Sequence, residues 1–434
     1  MGLHKVQLVL DLAKLGVDAL TVDADAFILR DAWQYIRRYP RADVLMSSDL
    51  LRATRGYNHT GLEDGSGFGA DYNIGYIFIR HTAVEFVQRW RDACFRSPTA
   101  WDQQLFASVL RSGSRGGAMT AKNLRPMFRT KEGKSLLAGV LPVALFASGH
   151  TFFVTRMAHL MHRVPFMVHT TFQYGGAEGK RHRLREGMMW EDDLDYYSKP
   201  DFLTFTPDIP YELVYPRGPS TVRADGSVDR QDWMSVDQHF KLVNHQLAQI
   251  RDALALAKSL GRILILPKLI CGLDRYWAPH SGIIPGSATR LPLLECPADH
   301  VIDLERMHPP EALLREWTML CNPRVPKAVL ASTRDVRFAP TGPVDVPRMK
   351  TDLAAVKILV VKGAVPSFTR VLAPPARRQF KDQVRPYASL WCCNRPPGGR
   401  GAGHIWYDWL WDVVPHVDRH NRKWTKPWTP IMGP

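Results

Sequence analysis

The stretch Val17-Asp18-Ala19-Leu20-Thr21-Val22 runs directly into Asp23-Ala24-Asp25. Its first six residues read as a short buried strand, so the two carboxylates stand where that strand ends. Upstream, Lys5 to Leu15 carries Val6, Leu10 and Ala13 on one helical face, and Gly16 is a natural stop. Downstream, the apolar run Ala42 to Met46 ends in Ser47-Ser48-Asp49, and a third run, Tyr72 to Ile79, contains Asn73-Ile74-Gly75. Helical stretches such as Ala83 to Cys94 lie between. The alternation predicts an α/β domain with a largely parallel, Rossmann-like sheet. Ligands of such sheets bind at the carboxyl ends of strands, and Asp23, Asp25 and Asp49 are all expected there.

The 434 residues are 45% hydrophobic and 23% charged, which excludes disorder as the main state. The length suits two or three domains. No apolar run reaches the roughly 18 residues of a membrane span. With Met1 as the start there is no signal peptide, and no hydroxyl residue stands where a myristoylation motif at Gly2 requires one. The excess of 57 Lys and Arg over 42 Asp and Glu gives a charge of +15 and calls for an acidic partner. No nucleic-acid partner is expected, because the aromatics are not interleaved with Lys and Arg as in a nucleic-acid module. The six cysteines form no CxxC pair and no zinc spacing, and they read as buried or free thiols.

The organisation reads as a first domain over residues 1–190, a Pro-rich linker over 191–232 and a second α/β domain over 233–434. The second domain opens with a capping box, Ser235 and Gln238. Phe240, Val243, Leu247, Ile250, Leu254 and Ala257 then mark one helix face, Gly261 ends the helix, and Arg262 to Leu266 is a strand. Leu353 to Val361 reads as helix-to-strand or strand alone.

Two carboxylates at i and i+2 on a strand end can share one divalent cation, and oxygen ligands suit Mg²⁺ or Mn²⁺, which in turn bind diphosphates. Asp193-Leu194-Asp195 has the same spacing but lies in a polar stretch and reads as solvated surface. The run Pro165 to Val168 presents His169, whose neutral imidazole can complete a metal shell or rest as a core histidine. The basic cluster Gly179-Lys180-Arg181-His182-Arg183-Leu184-Arg185 reads as a phosphate-binding loop or a solvated one. Asp102 of Trp101-Asp102-Gln103-Gln104 is a helix cap or, with Gln103, a ligand for sugar hydroxyls. Asn73 offers the same choice between turn residue and sugar ligand.

In this order, Asp23-Ala24-Asp25, Ser47-Ser48-Asp49, Tyr72-Asn73-Ile74-Gly75, Trp101-Asp102-Gln103, Ser148-Gly149-His150-Thr151-Phe152-Phe153 and His169-Thr170-Thr171-Phe172-Gln173-Tyr174 resemble the plant and algal nucleotide-diphospho-sugar transferases of glycosyltransferase family 77. The run Glu178 to Gly187 resembles the subgroup that arabinosylates extensins. The likeness continues through Leu242 to Gln246, Leu273 to Trp277, Cys296 to His300 and Gly403 to Asp408. It implies a GT-A-like catalytic fold, a UDP-sugar donor, Mn²⁺ (or Mg²⁺) and retention of configuration. For the subgroup it implies UDP-β-L-arabinofuranose as donor, hydroxyproline-linked arabinosides of extensin-like glycoproteins as acceptor, and residence in the Golgi. Carried over by motif, Asp23, Asp25 and His169 hold the metal. Lys5, Lys180 and Arg181 face phosphate, and Asp49, Asn73 and Gly75 line the donor sugar. Asp102 and Gln103 are the nearest catalytic candidates, although a front-face route needs no nucleophile.

Family members carry an anchor helix and further strand-helix units before the position of Met1, so the catalytic domain reads as N-terminally incomplete. The expectation is weak, unselective binding of nucleoside diphosphates, and a silent scaffold or a relative using another UDP-sugar is the competing reading. Asn58-His59-Thr60 is an N-glycosylation sequon. The unit around Asn244 to Pro267 looks a little like the opening of peptide O-fucosyltransferases, which predicts a second Rossmann-like domain.

Overall fold

Val6, Val9, Leu10 and Ala13 are buried along the helix Gly2–Lys14, and Gly16 closes it in the left-handed conformation (φ 76°). The computed structural model describes residues 2–55, 60–69, 71–113, 118–215, 221–222, 224, 228–229, 236–272, 294–394, 403–407 and 409–410. The chain divides into two compact units, with the division between Phe172 and Gln173.

In the first unit, five strands make one sheet in the order Ala19–Val22, Tyr72–Ile79, Val44–Ser48, Ser135–Val140, Arg125–Arg129. The helix Gly2–Lys14 packs on it together with Val84–Arg96 and Asp102–Arg111. Phe86, Trp90 and Phe106 meet edge-on or stacked at the centre of that layer and are fully buried. Each such ring contributes about 2–3 kcal/mol of burial before entropy is charged against it. A second, small sheet joins Ala26–Ile28, Met167–His169 and Phe146–Ser148, with Ala26 and Ser148 both opposite His169.

The expectation of a largely parallel first sheet is corrected. Only Val44–Ser48 with Ser135–Val140 is parallel, and the other three pairings are antiparallel. Ala19–Val22 has a single partner and forms an edge. Alternation of apolar runs with helices gives no information on strand direction when loops rather than helices make some of the connections.

The wholly parallel sheet belongs to the second unit. Its order is Leu314–Arg315, Ile263–Ile265, Phe202–Phe205, Ile358–Val361, Thr333–Val336. The helix Val236–Leu260 buries the six residues predicted for its inner face. Gly261 ends it at φ 72°, with the Arg262 amide donating to the Ala257 carbonyl (2.8 Å) in the expected left-handed stop. The predicted boundaries do not match this arrangement. Phe202–Phe205 lies within the stretch read as linker, yet it is the central strand, and the first unit ends at Phe172 rather than at 190. Four residues between prolines carry too little periodicity to register as a strand. Leu353–Val361 begins with a turn after the helix Val346–Asp352 and continues into the strand Ile358–Val361, so it is strand without helix. The cysteine reading is also corrected: Cys271 and Cys296, on paired antiparallel strands, form a disulfide. Cys94 remains a buried free thiol and Cys321 an exposed one. Ser235, Asn58 and the Leu273–Trp277 motif lie outside the described residues.

The basic cluster is helical rather than a loop, occupying Gly176–Glu186 in the second unit. Arg183 is fully buried and donates to both oxygens of Asp299 at 2.7 Å, and Arg185 forks onto Asp192. These two guanidiniums serve the fold and are not presented to solvent. Burial holds His182 down to about 3 and pushes Glu186 up to about 8, helped by the Asp299 charge. At pH 7 both are neutral, and their 3.7 Å approach is not an ion pair. Because Glu186 keeps its proton on folding, its contribution is complete below its ordinary value of 4.5 and is lost as pH rises through about 8. Unfolding free energy from denaturant titrations should therefore decline across that window by up to one proton's slope. Glu186→Gln should flatten the decline, and an unchanged profile would refute the assignment.

Candidate active site

The site is built on a break in strand register. Met46 lies opposite Ile77, but the next residue, Ser47, lies opposite Asn73. Ile74, Gly75 and Tyr76 are thus taken up in a bulge, and bulges re-aim side chains and free main-chain groups. Side chains and a neighbouring strand satisfy those groups. The Ile74 amide donates to Gln103 Oε1 (3.2 Å), the Ile74 carbonyl accepts from Lys5 Nζ (2.7 Å), and the Gly75 carbonyl accepts from the Asp23 amide (2.9 Å). One irregularity therefore draws together the helix of Lys5, the strand end of Asp23 and the helix start of Gln103.

Asp23, Asp25 and His169 each offer a ligand atom, and these atoms lie within 4.8 Å of one another. His169 Nε2 is 3.2 Å from Asp25 Oδ1, and Lys5 Nζ pairs with Asp23 Oδ1 at 2.7 Å. Thr170 anchors the Asp25 carbonyl through its amide (3.0 Å) and its hydroxyl (2.9 Å). Two carboxylates and an imidazole fit a divalent cation of the Mn²⁺ type, since imidazole suits transition metals better than Mg²⁺.

Hydrogen bonding assigns the His169 tautomer. Asn73 Nδ2 donates to Asp49 Oδ1 (2.9 Å), and the Gly75 amide donates to Asn73 Oδ1 (2.9 Å). The amide orientation is fixed from both ends, so Asn73 Oδ1 is an acceptor toward His169 Nδ1 at 3.1 Å. Nδ1 then carries the proton, and the Nε2 lone pair faces Asp25 and the metal position. Gly75 lies directly beneath the ring: a Cβ there would come within 2.1 Å of His169 Cε1. Only glycine admits the imidazole.

Asp49 accepts from Asn73 and, at 3.3 Å, from Gln103 Nε2. Burial pushes its carboxyl above the usual range, opposed by the Asn73 hydrogen bond, the nearby His169 and the Gln103 hydrogen bond. Gln103 is engaged at both ends of its amide by Ile74 and Asp49. Asp102 is the first residue of its helix rather than the cap, which is Trp101. Asp102 Oδ1 accepts from the Gln103 amide, and its carboxylate packs so closely on Gly2 that a Cβ there would lie 2.6 Å away.

Lys5, Asp23, Asp25, Asp49, Asn73, Gly75, Gln103 and His169 thus form one connected group, with Asp102 beside it. Lys180 and Arg181 belong to the second unit, where Arg181 pairs with Glu178 at 3.2 Å. The second Asp pair behaves as predicted: Asp193 precedes a short helix, and Asp195 forms an exposed pair with Lys199. Sequence reasoning missed Ser47, whose hydroxyl holds the Asn73 carbonyl at 2.9 Å, and Thr170. Both lie inside the quoted motifs, and their position next to site residues was the available signal.

An α/β domain with a carboxylate pair at a strand end and a histidine beside them fits a GT-A-like, nucleotide-sugar-binding fold. The model of the family described as nucleotide-diphospho-sugar transferase matches residues 1–184, so the chain carries a domain of that family. It is 34% identical over 449 residues to Arabinosyltransferase XEG113 of Arabidopsis thaliana, an alignment covering 96% of this chain and 66% of that protein. The chain therefore spans just under two-thirds of the length of that relative. No solved structure matches it.

Asn73→Leu removes the acceptor for His169 Nδ1, and Gly75→Ala displaces the ring. Each should weaken divalent-cation binding by about 10–100-fold while circular dichroism stays native. Calorimetric titration with Mn²⁺ showing undiminished affinity in both variants would remove His169 from the ligand set.

Proposed function

We propose that the chain is a metal-dependent retaining glycosyltransferase that moves L-arabinofuranose from its UDP-sugar to hydroxyproline-linked arabinosides of extensin-like glycoproteins. The observation that carries this reading is the convergence of Asp23, Asp25 and His169 within the matched family domain. The arabinosyl specificity rests on the named relative and on the subgroup run Glu178 to Gly187.

Asp23, Asp25 and His169 Nε2 would hold Mn²⁺ or Mg²⁺, which when bound stabilises charge on the leaving diphosphate as a Lewis acid. Lys5 adds a positive charge beside Asp23 and orients that carboxylate. Asp49, Asn73, Asp102 and Gln103 form the sugar end of the site. Gln103 is held at both ends and acts by position, so the reading favours front-face transfer, in which the leaving phosphate takes the acceptor proton and no protein nucleophile is needed. The family resemblance alone assigns Lys180 and Arg181 to phosphate.

Residence in the Golgi is part of this reading. The Cys271–Cys296 bridge supports it, because disulfides persist in oxidising compartments. Among the described residues no helix is long and apolar enough to cross a membrane.

Transfer from UDP-β-L-arabinofuranose should require Mn²⁺. It should drop by about 10²-fold or more in Asp23→Asn, Asp25→Asn and His169→Ala, the loss expected when several kcal/mol of charge stabilisation disappear. Asp193→Asn should behave as the parent. Product analysis by mass spectrometry decides the sugar, and UDP binding that ignores Mn²⁺ would overturn the site. Non-reducing peptide mapping of protein from plant cells should recover Cys271 joined to Cys296, and recovery of both as free thiols would remove the support for an oxidising compartment.

A further inference from the structure

A cavity of about 220 Å³ opens in the first unit away from the metal-site residues, lined by Arg38, Tyr39, Arg55, Gly61, Leu62, Ala121 and Lys122. Three of its seven lining residues are cations, and none is acidic. All three side chains are exposed, and like charges gathered around one space repel one another unless an anion or water lies between them.

The cations are held in place. Arg38 Nη1 donates to the Thr60 carbonyl at 3.3 Å, and its guanidinium lies over the Tyr35 ring at 4.8 Å. Lys122 Nζ donates to the Arg38 carbonyl at 3.2 Å. Each of these contacts uses one donor and leaves the rest of the head group available, since guanidinium has five N–H donors and ammonium three. Arg55 forms no ion pair with any described residue.

The loops that carry these groups are pinned beneath. Asn123, in the left-handed region at φ 58°, donates to the Leu62 carbonyl at 3.0 Å. Glu63, next to Leu62, is the nearest acidic residue in sequence to the lining. It accepts from the Thr54 amide (2.7 Å), the Thr54 hydroxyl (2.5 Å) and the Val143 amide (2.9 Å). Both of its oxygens are thereby engaged by these donors, and it is not among the residues that line the cavity. Tyr39 and Leu62, both buried, supply an apolar floor.

We propose that this cavity is a second binding site, for an oxyanion carried on a small polar body such as a carboxylated or phosphorylated sugar. Guanidinium forks match carboxylate and phosphate equally well. The volume admits one such group with its ring against Tyr39. This inference stands independently of the transferase reading.

The test is calorimetric titration of the 434-residue chain, without divalent cation, using galacturonate, inorganic phosphate and, as a neutral control, arabinose. Saturable binding of at least one anion, none of arabinose, and weakening by at least about tenfold in both Arg55→Gln and Lys122→Gln are expected, the loss of one charge-assisted hydrogen bond in each case. Galacturonate alone would assign a carboxylated ligand and phosphate alone a phosphorylated one. Both variants should keep the parental melting temperature and parental Mn²⁺ affinity. Anion binding that survives both substitutions, or no binding of either anion up to about 20 mM, weaker than any useful site, would overturn the proposal.

Discussion

The side-chain amide of Asn73 is held from three directions, and the geometry of the cation site follows from that restraint. The Gly75 amide and Asp49 fix which end is oxygen, Ser47 holds the main chain, and the remaining acceptor direction meets His169. An amide with both ends committed cannot rotate to offer nitrogen instead. The imidazole therefore has one tautomer and one orientation, and its free nitrogen faces the carboxylates of the strand-end pair. The arrangement exists because the strand carrying Asn73 breaks register against its neighbour. In a regular ladder Ile74 and Gly75 would have bonded to the adjacent strand and would not have reached Gln103, Lys5 and Asp23.

The two units handle buried charge differently, and the difference separates site from scaffold. In the first unit burial raises the proton affinity of the Asp49 carboxylate, while neutral amide donors oppose that rise and fix its orientation. In the second unit Arg183 with Asp299 and Arg185 with Asp192 are full ion pairs buried among neutral His182 and Glu186. Breaking one member of such a pair leaves an uncompensated charge and costs about 3–5 kcal/mol, so these residues hold the helix Gly176–Glu186 in a single place. A motif dense in arginine thus divides into residues committed to the fold, Arg183 and Arg185, and more exposed ones, Lys180 and Arg181, that remain candidates for phosphate.

Much of the fold could be read in the sequence wherever an element was long and periodic. The helices at Gly2–Lys14 and Val236–Leu260 were legible because burial of one face imposes a repeat on the residue order, and the strand Tyr72–Ile79 because eight buried residues leave a long, mostly apolar run. Strand direction was not legible, because an apolar run looks the same whichever way its neighbour points. The central strand Phe202–Phe205 was hidden because four residues buried on both faces show no alternation. The disulfide was hidden because Cys271 and Cys296 are 25 residues apart and meet only through strand pairing.

For the site, the sequence by itself determined the donors: a carboxylate pair after an apolar run, a histidine after another, and the polar residues of the intervening motifs. That much is local chemistry, set by residue type and spacing. Only the tertiary structure decided which nitrogen of His169 is free, why position 75 must be glycine, and that Gln103 is tied at both ends. It also decided that two arginines of the basic cluster face inward. Each of these depends on atoms from separate segments, 96 residues apart for Asn73 and His169 and 116 for Arg183 and Asp299. Hydrogen bonds and close packing act over a few ångströms in space, and sequence separation carries no record of that distance until the chain has folded.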